Sequence, residues 1–295
     1  SRRRHTRYPL VTGVQTCALP ICDLQNDGSS YGQPWQPPDS IAVERDIAYG
    51  SHAAQKLDLF VRKQRPQGAP VVMMVHGGGW RRGDKSGPMM VKNKALHWVD
   101  KKGWLFITVN YRLMPEAPPT VQVDDIAHAL AFAQGKAAGW GGDPNRFVVV
   151  GHSAGAHLVS LLTADPEITR RAGARPWLAT IPIDSAAYDV EAIMNRRHYG
   201  LYDKAFGSDK NLWREASPIQ RLTGKPAAPM LLVCSSTRSD SCTPAQEFAT
   251  KANGQGGRVK VLPVDMGHGK INDQLGTPGA YTDQVDEFLR SVGLN

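Results

Sequence analysis

The pentapeptide Gly151-His152-Ser153-Ala154-Gly155 carries the strongest chemical signal in the sequence. It follows the predicted strand RFVVV and opens the predicted helix AGAHLVSLL. A sharp turn from strand to helix exposes a serine hydroxyl, and small residues on either side relieve crowding there. The amino end of the helix adds positive potential where negative charge would develop. The motif therefore predicts Ser153 to be a nucleophile, and the alternative is a structural turn with an ordinary serine.

A second motif, His76-Gly77-Gly78-Gly79-Trp80, directly follows the apolar run PVVMMV. Three successive glycines lose much backbone entropy on folding, so we expect their backbone to approach another group closely. Such a loop can supply N–H donors to an oxyanion, together with the N–H of the residue after the nucleophile. We therefore predict an oxyanion hole made by Gly78, Gly79 and Ala154. The alternative is a tight turn that leaves a strand, and we expect His76 to be structural.

A general base for Ser153 needs a loop that lets its imidazole reach the hydroxyl. Of the nine histidines, His268 alone stands in a glycine-flanked loop, Gly267-His268-Gly269, after the last apolar strand RVKVLPV. The sequence therefore predicts His268 to be the base.

The base in turn needs a carboxylate that orients its imidazole. Asp240 stands in SSTRSDSCTP, which follows the apolar run PMLLVC and precedes a predicted helix. Asp265 and Asp273 are too near His268 in the chain, whereas Asp184 follows the preceding strand LATIPI. We predict Asp240 to be the acid, with Asp184 as the second choice.

These motifs must be held by the elements between them, and the chain alternates strands with helices. IAVERDIAY and QKLDLFVR alternate apolar and polar residues, as half-buried antiparallel strands do. Residues 70–75 and 104–109 are continuous apolar runs, which is typical of strands covered on both faces, and RFVVVG at 146–151 is predicted to be another buried strand. We expect an α/β fold with a mainly parallel sheet and helices on both faces. Residues 184–228 are polar and lack clear periodicity, which indicates a cap or lid.

The basic excess is concentrated at the start of the chain. The 295 residues carry 35 Lys and Arg against 27 Asp and Glu, and residues 1–22 hold four arginines and no acid. TRYPLVTGVQTCALPI resembles translated sequencing-adapter sequence, so we expect residues 1–22 to be a non-native scar. Residues 23–40 are expected to be an extended lead-in and 41–295 a single domain. The remaining +4 is scattered, and no apolar run approaches about 20 residues, so we expect neither a nucleic-acid partner nor a membrane span.

Neither the cysteines nor the known metal-binding motifs decide the compartment or indicate a metal site. Cys17 and Cys22 fall in the scar, which leaves Cys234 and Cys242 on either side of a polar loop. A disulfide, which would indicate an oxidising compartment, and two free thiols both stay open. The sequence has no H-E-x-x-H motif, no Cys/His set at ligand spacing and no dinucleotide fingerprint. We therefore expect no metal and no cofactor, and the localisation and oligomeric state are undecided.

HGGGW, GHSAG and the late Asp and His loops together resemble the α/β-hydrolase carboxylesterases. The stretches YGSHAAQKLDLFV, VNYRLMPEAPPTVQVDDIAHAL and WGGDPNRFVVVGHSAGAHL are similar to the hormone-sensitive-lipase-like, feruloyl-esterase-like and arylformamidase-like branches. The resemblance covers roughly residues 41–292. It implies the α/β-hydrolase fold, in which the triad follows the chain order Ser153, Asp240, His268. It also implies hydrolysis of a small-molecule carboxylic ester through an acyl-enzyme.

The aromatic residues bear on which ester is cleaved. We expect Trp80, Tyr188 and Trp213 to line a substrate pocket that suits aromatic esters such as feruloyl or aryl-polyester units. The alternative for each is packing within the cap. Two other functions stay open: an arylformamidase-type amidase with the same machinery, and a catalytically silent binding protein on this fold.

Overall fold

Eight strands form one sheet in the computed structural model, which describes residues 35–294. The predicted scar and most of the lead-in lie outside the described residues, as do Cys17 and Cys22. The strand order is β1-β2-β4-β3-β5-β6-β7-β8. The strands are β1 (Ile41–Ala48), β2 (Lys56–Arg62), β3 (Ala69–Val75), β4 (Leu105–Val109), β5 (Gly142–His152), β6 (Ala179–Ile183), β7 (Met230–Ser235) and β8 (Val259–Val264).

The sheet is antiparallel at one edge and parallel elsewhere. β2 pairs antiparallel with β1 and with β4, whereas every pair of neighbours among β3 to β8 is parallel. The alternating sequence of β1 fits this edge, since its residues are mostly half-buried or exposed. The predicted fold, a mainly parallel sheet with antiparallel strands at its start, is therefore confirmed.

The central strands are buried on both faces, which explains their continuous apolar runs. Every residue of β3 is buried. Because successive side chains point to opposite faces, Met73 packs into the core on one side and Met74 into the core on the other. Full burial of each such side chain contributes roughly 1.5–3 kcal/mol to folding. The middle of the sheet is thus a firm support for the loops at its ends.

Helices cover both faces of the sheet. α1 (Pro88–Lys94) continues without a break into a π-helical segment (Ala95–Lys101), and α2 (Pro119–Trp140) ends at Gly141 in a left-handed conformation. The remaining helices outside the cap region are α3 (Ala154–Ala164), α4 (Pro166–Ala172), α9 (Cys242–Gly254), α10 (His268–Asp273) and α11 (Ala280–Ser291). No helix between residues 35 and 294 is both long and apolar enough to cross a membrane.

The segment expected to be a cap, 184–228, is inserted between β6 and β7. It contains four short helices, α5 (Val190–Met194), α6 (Gly200–Phe206), α7 (Lys210–Glu215) and α8 (Pro218–Arg221). None exceeds seven residues, which explains why no helical periodicity is visible in the sequence.

The strand order creates a crevice at the carboxyl edge of the sheet. β3 lies between β4 and β5, so the connections that leave β3 and β5 run to different sides. Ligands of open α/β sheets bind at this kind of switch point. The two glycine-rich motifs follow β3 and β5, and therefore meet there.

Candidate active site

Ser153 stands in the turn between β5 and α3. Its backbone has φ 57° and ψ −117°, a conformation that few non-glycine residues adopt. The backbone N–H of Ser153 donates to the carbonyl of Ile183 at 2.9 Å, which fixes the turn against β6. Gly155 lets α3 approach β3, because a Cβ at this position would lie 2.3 Å from the carbonyl oxygen of Val75. The predicted strand-turn-helix context of the motif is present.

His268 begins α10 and is almost fully buried. Its Nε2 lies 2.9 Å from Oγ of Ser153, within hydrogen-bond distance. Its Nδ1 lies 2.5 Å from Oδ2 of Asp184. With the Nδ1 proton directed to the carboxylate, Nε2 is left as an acceptor for the serine hydroxyl. The three side chains form a line through which the hydroxyl proton can pass to the imidazole.

The Asp184 carboxylate is surrounded by donors. Oδ1 accepts the backbone N–H of Ser235 at 2.9 Å and the hydroxyl of Ser241, while Oδ2 faces His268 and Arg238. Burial by itself would raise the pKa of Asp184. The hydrogen bond to His268, the charge of Arg238 and the hydrogen bond from Ser241 outweigh it and hold the pKa well below its usual range. The group is therefore ionised throughout the neutral range.

The expectation that Asp240 orients His268 is corrected by these contacts. Asp240 lies in the β7–α9 loop, and its Oδ1 accepts from Nη2 of Arg238 at 3.0 Å. Arg238 stands between Asp240 and the imidazole, since its Nη1 lies 2.7 Å from Nδ1 of His268. The second choice, Asp184 at the end of β6, takes the position. Arg238 was not predicted from the sequence to belong to the site. The one signal for it is that it is a charged residue two positions before Asp240.

The loop after β3 lies against the nucleophile. A Cβ at Gly77 would lie 2.8 Å from Cβ of Ser153, so only glycine allows this approach. Gly78 and Gly79 have φ +112° and +60°, and both line the same pocket as Ser153 and Ala154. The structure thus brings together the residues expected to form an oxyanion hole.

Trp80 anchors that loop to the protein behind it. Its indole Nε1 donates to Nδ1 of His157 at 3.0 Å, and Nε2 of His157 donates to the carbonyl of Ala216 at 2.7 Å. Nε2 of Gln122 donates to the Trp80 carbonyl at 2.8 Å. Burial lowers the pKa of His157 to about 4, so its Nδ1 remains an acceptor at neutral pH. His157 therefore connects the loop after β3 with the cap region.

Two other histidines are structural. His152 is buried, and its Nε2 donates to the backbone carbonyl of His268 at 3.0 Å. Burial and the neighbouring His268 lower the pKa of His152 well below 6.5, which keeps it neutral. His76 is stacked on Tyr111 with ring centroids 4.5 Å apart, and the Tyr111 hydroxyl donates to the His76 carbonyl. Both fix backbone next to the site.

A pocket of about 650 Å³ opens over Ser153. Trp80, Tyr199 and Tyr202 are its aromatic lining residues. The expectation is wrong for the other two aromatic residues, which do not line it. Tyr188 is 1% exposed and packs against Phe248, and Trp213 is buried with its indole Nε1 bonded to the Gly207 carbonyl. Both lie in the apolar core because the cap needs large side chains to fill it.

Besides the largely buried Arg238, three cations line this pocket, and we call them the cationic rim: Arg81, Arg82 and Lys204. All three are solvent-exposed. Among residues 35–294, the one carboxylate in the pocket lining is Asp184, which is buried and bonded to the groups named above. The rim therefore gives the pocket a positive potential.

A disulfide joins Cys234 at the end of β7 to Cys242 at the start of α9. Their Cα atoms are 5.1 Å apart, and the bridge closes the loop that carries Ser235, Arg238 and Ser241. Of the two alternatives left open by the sequence, the structure has the bridge. Across residues 35–294, no three His, Cys, Asp or Glu side chains are grouped so that they could hold a metal ion.

Comparison with known proteins agrees with this architecture. Residues 57–226 match the BD-FAE family model. Esterase LipC of Mycobacterium tuberculosis is 30% identical over 215 residues, which cover 64% of this chain and 49% of LipC. The chain spans about half the length of LipC and less than two thirds of seven further curated relatives, which include isoprenylcysteine alpha-carbonyl methylesterases.

Solved structures of esterases share the fold. Esterase B from Lactobacillus Rhamnosis superposes with a TM-score of 0.69 at 20% identity, over 92% of this chain and 89% of that one. Esterase 2 of Thermogutta terrifontis, phosphonylated by sarin, superposes with a TM-score of 0.68 at 18% identity, over 89% of this chain and 98% of that one.

Proposed function

The chain belongs to the BD-FAE family, and from this we propose that it is a serine hydrolase that cleaves carboxylic esters. The observation that carries the proposal is the line of atoms from Ser153 Oγ through both ring nitrogens of His268 to Asp184. A hydroxyl is activated as a nucleophile by this kind of arrangement. That relatives such as LipC are named esterases supports the choice of ester as the substrate.

In the proposed reaction, Ser153 Oγ attacks the ester carbonyl carbon while its proton moves to Nε2 of His268. The negative charge on the carbonyl oxygen is stabilised by the N–H groups of Gly78, Gly79 and Ala154. The carbon–oxygen bond to the alcohol then breaks, and the leaving alkoxide takes the proton from His268. The product of this half is an acyl group on Ser153.

Water completes the cycle by the same route. It gives a proton to His268, attacks the acyl carbon and releases the acid, and Ser153 recovers its proton. Asp184 keeps the imidazole in the tautomer that this requires and stabilises the imidazolium. The N-terminus of α3 faces the reacting oxygen and adds to the stabilisation.

We propose aromatic esters, such as feruloyl or aryl-polyester units, as a preferred class. The aromatic lining by Trp80, Tyr199 and Tyr202 supports this, because flat rings gain from packing on such walls. The volume of about 650 Å³ is within the range of pockets that hold a drug-sized ligand. An arylformamidase-type amidase would use the same machinery and is the second candidate.

The test is an activity panel on the wild type and Ser153→Ala. It compares p-nitrophenyl esters of increasing chain length, methyl ferulate and an N-formyl anilide, and it includes labelling with a fluorophosphonate. We expect ester hydrolysis and labelling in the wild type, and at least a 1,000-fold loss of activity with no labelling in the variant, roughly as in other triads. Full activity in Ser153→Ala would refute the proposal. Faster turnover of the anilide than of all esters would favour the amidase. A wild type that shows no activity and no labelling would favour a silent binding protein.

A further inference from the structure

Asp184 is not held by His268 alone, because Arg238 shares the same carboxylate oxygen. Nη1 of Arg238 lies 2.7 Å from Oδ2 of Asp184. Its side chain is 10% exposed, which makes it a largely buried cation next to the predicted base. Its other nitrogens, Nε at 3.2 Å and Nη2 at 3.0 Å, both donate to Oδ1 of Asp240. The guanidinium is thus fixed between two carboxylates.

We propose that Arg238, held by Asp240, is a positioning residue that fixes the Asp184 carboxylate against His268 and balances the charge of the site. This inference rests on the proposed function, since it assigns roles within the same reaction. A carboxylate at the end of β6 has freedom about its side-chain bonds. Donors from Ser235 at the end of β7 and from Ser241 and Arg238 in the β7–α9 loop remove that freedom.

The charges explain why Arg238 needs Asp240. When His268 takes the serine proton, the described residues of the site hold two cations, the imidazolium and Arg238, and two carboxylates, Asp184 and Asp240. The four charges cancel. Without Asp240, the guanidinium 2.7 Å from Nδ1 would oppose formation of the imidazolium. Without Arg238, the two carboxylates would favour the imidazolium, but Asp184 would lose a donor that orients it.

Three other titratable groups of the described residues lie near His268, Asp184 or Arg238, and each of them stays uncharged. His152, whose ring centroid is 4.6 Å from that of His268, stays neutral because burial depresses its pKa. Tyr202 and Tyr281 stay protonated because burial raises their pKa values above the ordinary one. The dependence of kcat/KM on pH should therefore respond mainly to Asp184, Arg238 and Asp240.

The experiment compares Asp240→Asn and Arg238→Met with the wild type and with Arg238→Lys. Arg221→Met is the matched control, since Arg221 pairs with Asp165 at a distance from the pocket. The readouts are kcat and KM for a p-nitrophenyl ester and the acid limb of the pH profile of kcat/KM. The melting temperature and the rate of fluorophosphonate labelling of Ser153 are measured in parallel.

We expect the two variants to move the acid limb in opposite directions. Asp240→Asn leaves an unbalanced cation and should move it to lower pH by about half to one unit. Arg238→Met should move it to higher pH by a similar amount and lower kcat by about 10- to 100-fold, the loss expected when a catalytic group is misplaced by a fraction of an ångström or more. Arg238→Lys keeps the charge, so it should retain the wild-type limb and recover part of kcat.

The proposal is overturned if the limb stays within 0.2 pH units of the wild type in Asp240→Asn, or if both variants move it in the same direction. Asp240 is 30% exposed on a loop closed by a disulfide, so Asp240→Asn folds and decides the matter even if Arg238→Met does not fold. Failure of the proposed function looks different, because then the wild type itself neither cleaves esters nor reacts with the fluorophosphonate.

Discussion

Lys94 is a buried lysine directly beneath the helix that begins with His268. It has no exposed surface, and its Nζ donates to the carbonyl of Met89 at 2.9 Å and to that of Asn272 in α10 at 2.6 Å. Burial lowers the pKa of Lys94 from 10.5 to about 7, and Asp273 offsets this only in part. We predict that Lys94→Met removes a characteristic pH dependence of the free energy of unfolding.

The sign and size follow from proton binding. The pKa is lower in the folded state, so between pH 7 and 10.5 the unfolded chain holds more protons than the folded one. The free energy of unfolding of the wild type therefore rises with pH in this window and falls as pH drops towards 7. One pKa unit corresponds to about 1.4 kcal/mol, and integration from pH 7 to pH 9 for pKa values of about 7 and 10.5 gives about 2 kcal/mol. The tyrosines with raised pKa values, such as Tyr111, contribute mainly above this range.

The assay is urea unfolding at pH 7, 8 and 9 on the wild type and Lys94→Met. The absolute stability of the variant also reflects the carbonyls of Met89 and Asn272 that lose a donor, so the quantity to follow is the difference between the two proteins. We expect that difference to change by about 2 kcal/mol from pH 7 to pH 9. Lys92→Met, on the exposed side of the same helix, should run parallel to the wild type. A difference that is constant within about 0.5 kcal/mol across this range would show that the buried amine keeps its proton and would refute the reasoning.

Three further predictions concern the nucleophile turn, the loop after β3 and the cationic rim. Gly155→Ala places a Cβ 2.3 Å from a carbonyl oxygen of β3 and should lower both the melting temperature and kcat. The control Gly135→Ala has open space in α2 and should stabilise the protein by up to about 1 kcal/mol, so equal melting temperatures of the two variants would contradict the steric argument. Trp80→Phe leaves Nδ1 of His157 without its donor and should lower the free energy of unfolding, measured by urea titration, by about 1–3 kcal/mol. The same variant should reduce kcat more than it raises KM. An unchanged free energy of unfolding would contradict a stabilising role of this hydrogen bond. At low ionic strength, the cationic rim should give an ester that carries a carboxylate a higher kcat/KM than its neutral isostere. Both 0.5 M salt and Lys204→Gln should reduce the ratio of these two kcat/KM values. A ratio that salt leaves unchanged would contradict the prediction.

The nucleophile and the base could be placed from sequence because their contexts are local. A strand of mostly apolar residues, a G-x-S-x-G turn and a helix buried on all sides define β5, the turn and α3 within about twenty residues. His268 follows the last strand of a parallel sheet, and all such strands end at the same edge. Local rules therefore bring Ser153 and His268 to one place without knowledge of the tertiary structure.

The pocket lining was harder to predict because it depends on how the cap packs. Tyr188 and Trp213 stand in the cap segment beside Tyr199 and Tyr202 and have the same amphipathic character. The helices there are too short for a periodicity that would tell inward from outward faces. Only tertiary packing assigns Tyr199 and Tyr202 to the pocket and the other two to the core.

The acid shows most clearly where inference from sequence stops. Asp184 and Asp240 follow neighbouring parallel strands, β6 and β7, so both begin at the edge where His268 lies. What separates them is distance from the strand. Asp184 comes directly after Ile183 and is turned inward by a backbone with φ +57°, whereas Asp240 is five residues beyond the end of β7.

Once β6 supplies the carboxylate, the β7–α9 loop has a different part to play. It supplies the Ser241 hydroxyl and the Arg238 guanidinium to that carboxylate, beside the N–H of Ser235 at the end of β7. The Cys234–Cys242 bridge closes the loop at its base. A loop that only supplied an acid would have no need for a buried arginine, since an unbalanced cation beside the imidazole works against proton transfer. The arginine makes physical sense together with Asp240. The carboxylate that the sequence favoured therefore belongs to the same site, one residue further from the imidazole, with Arg238 between them.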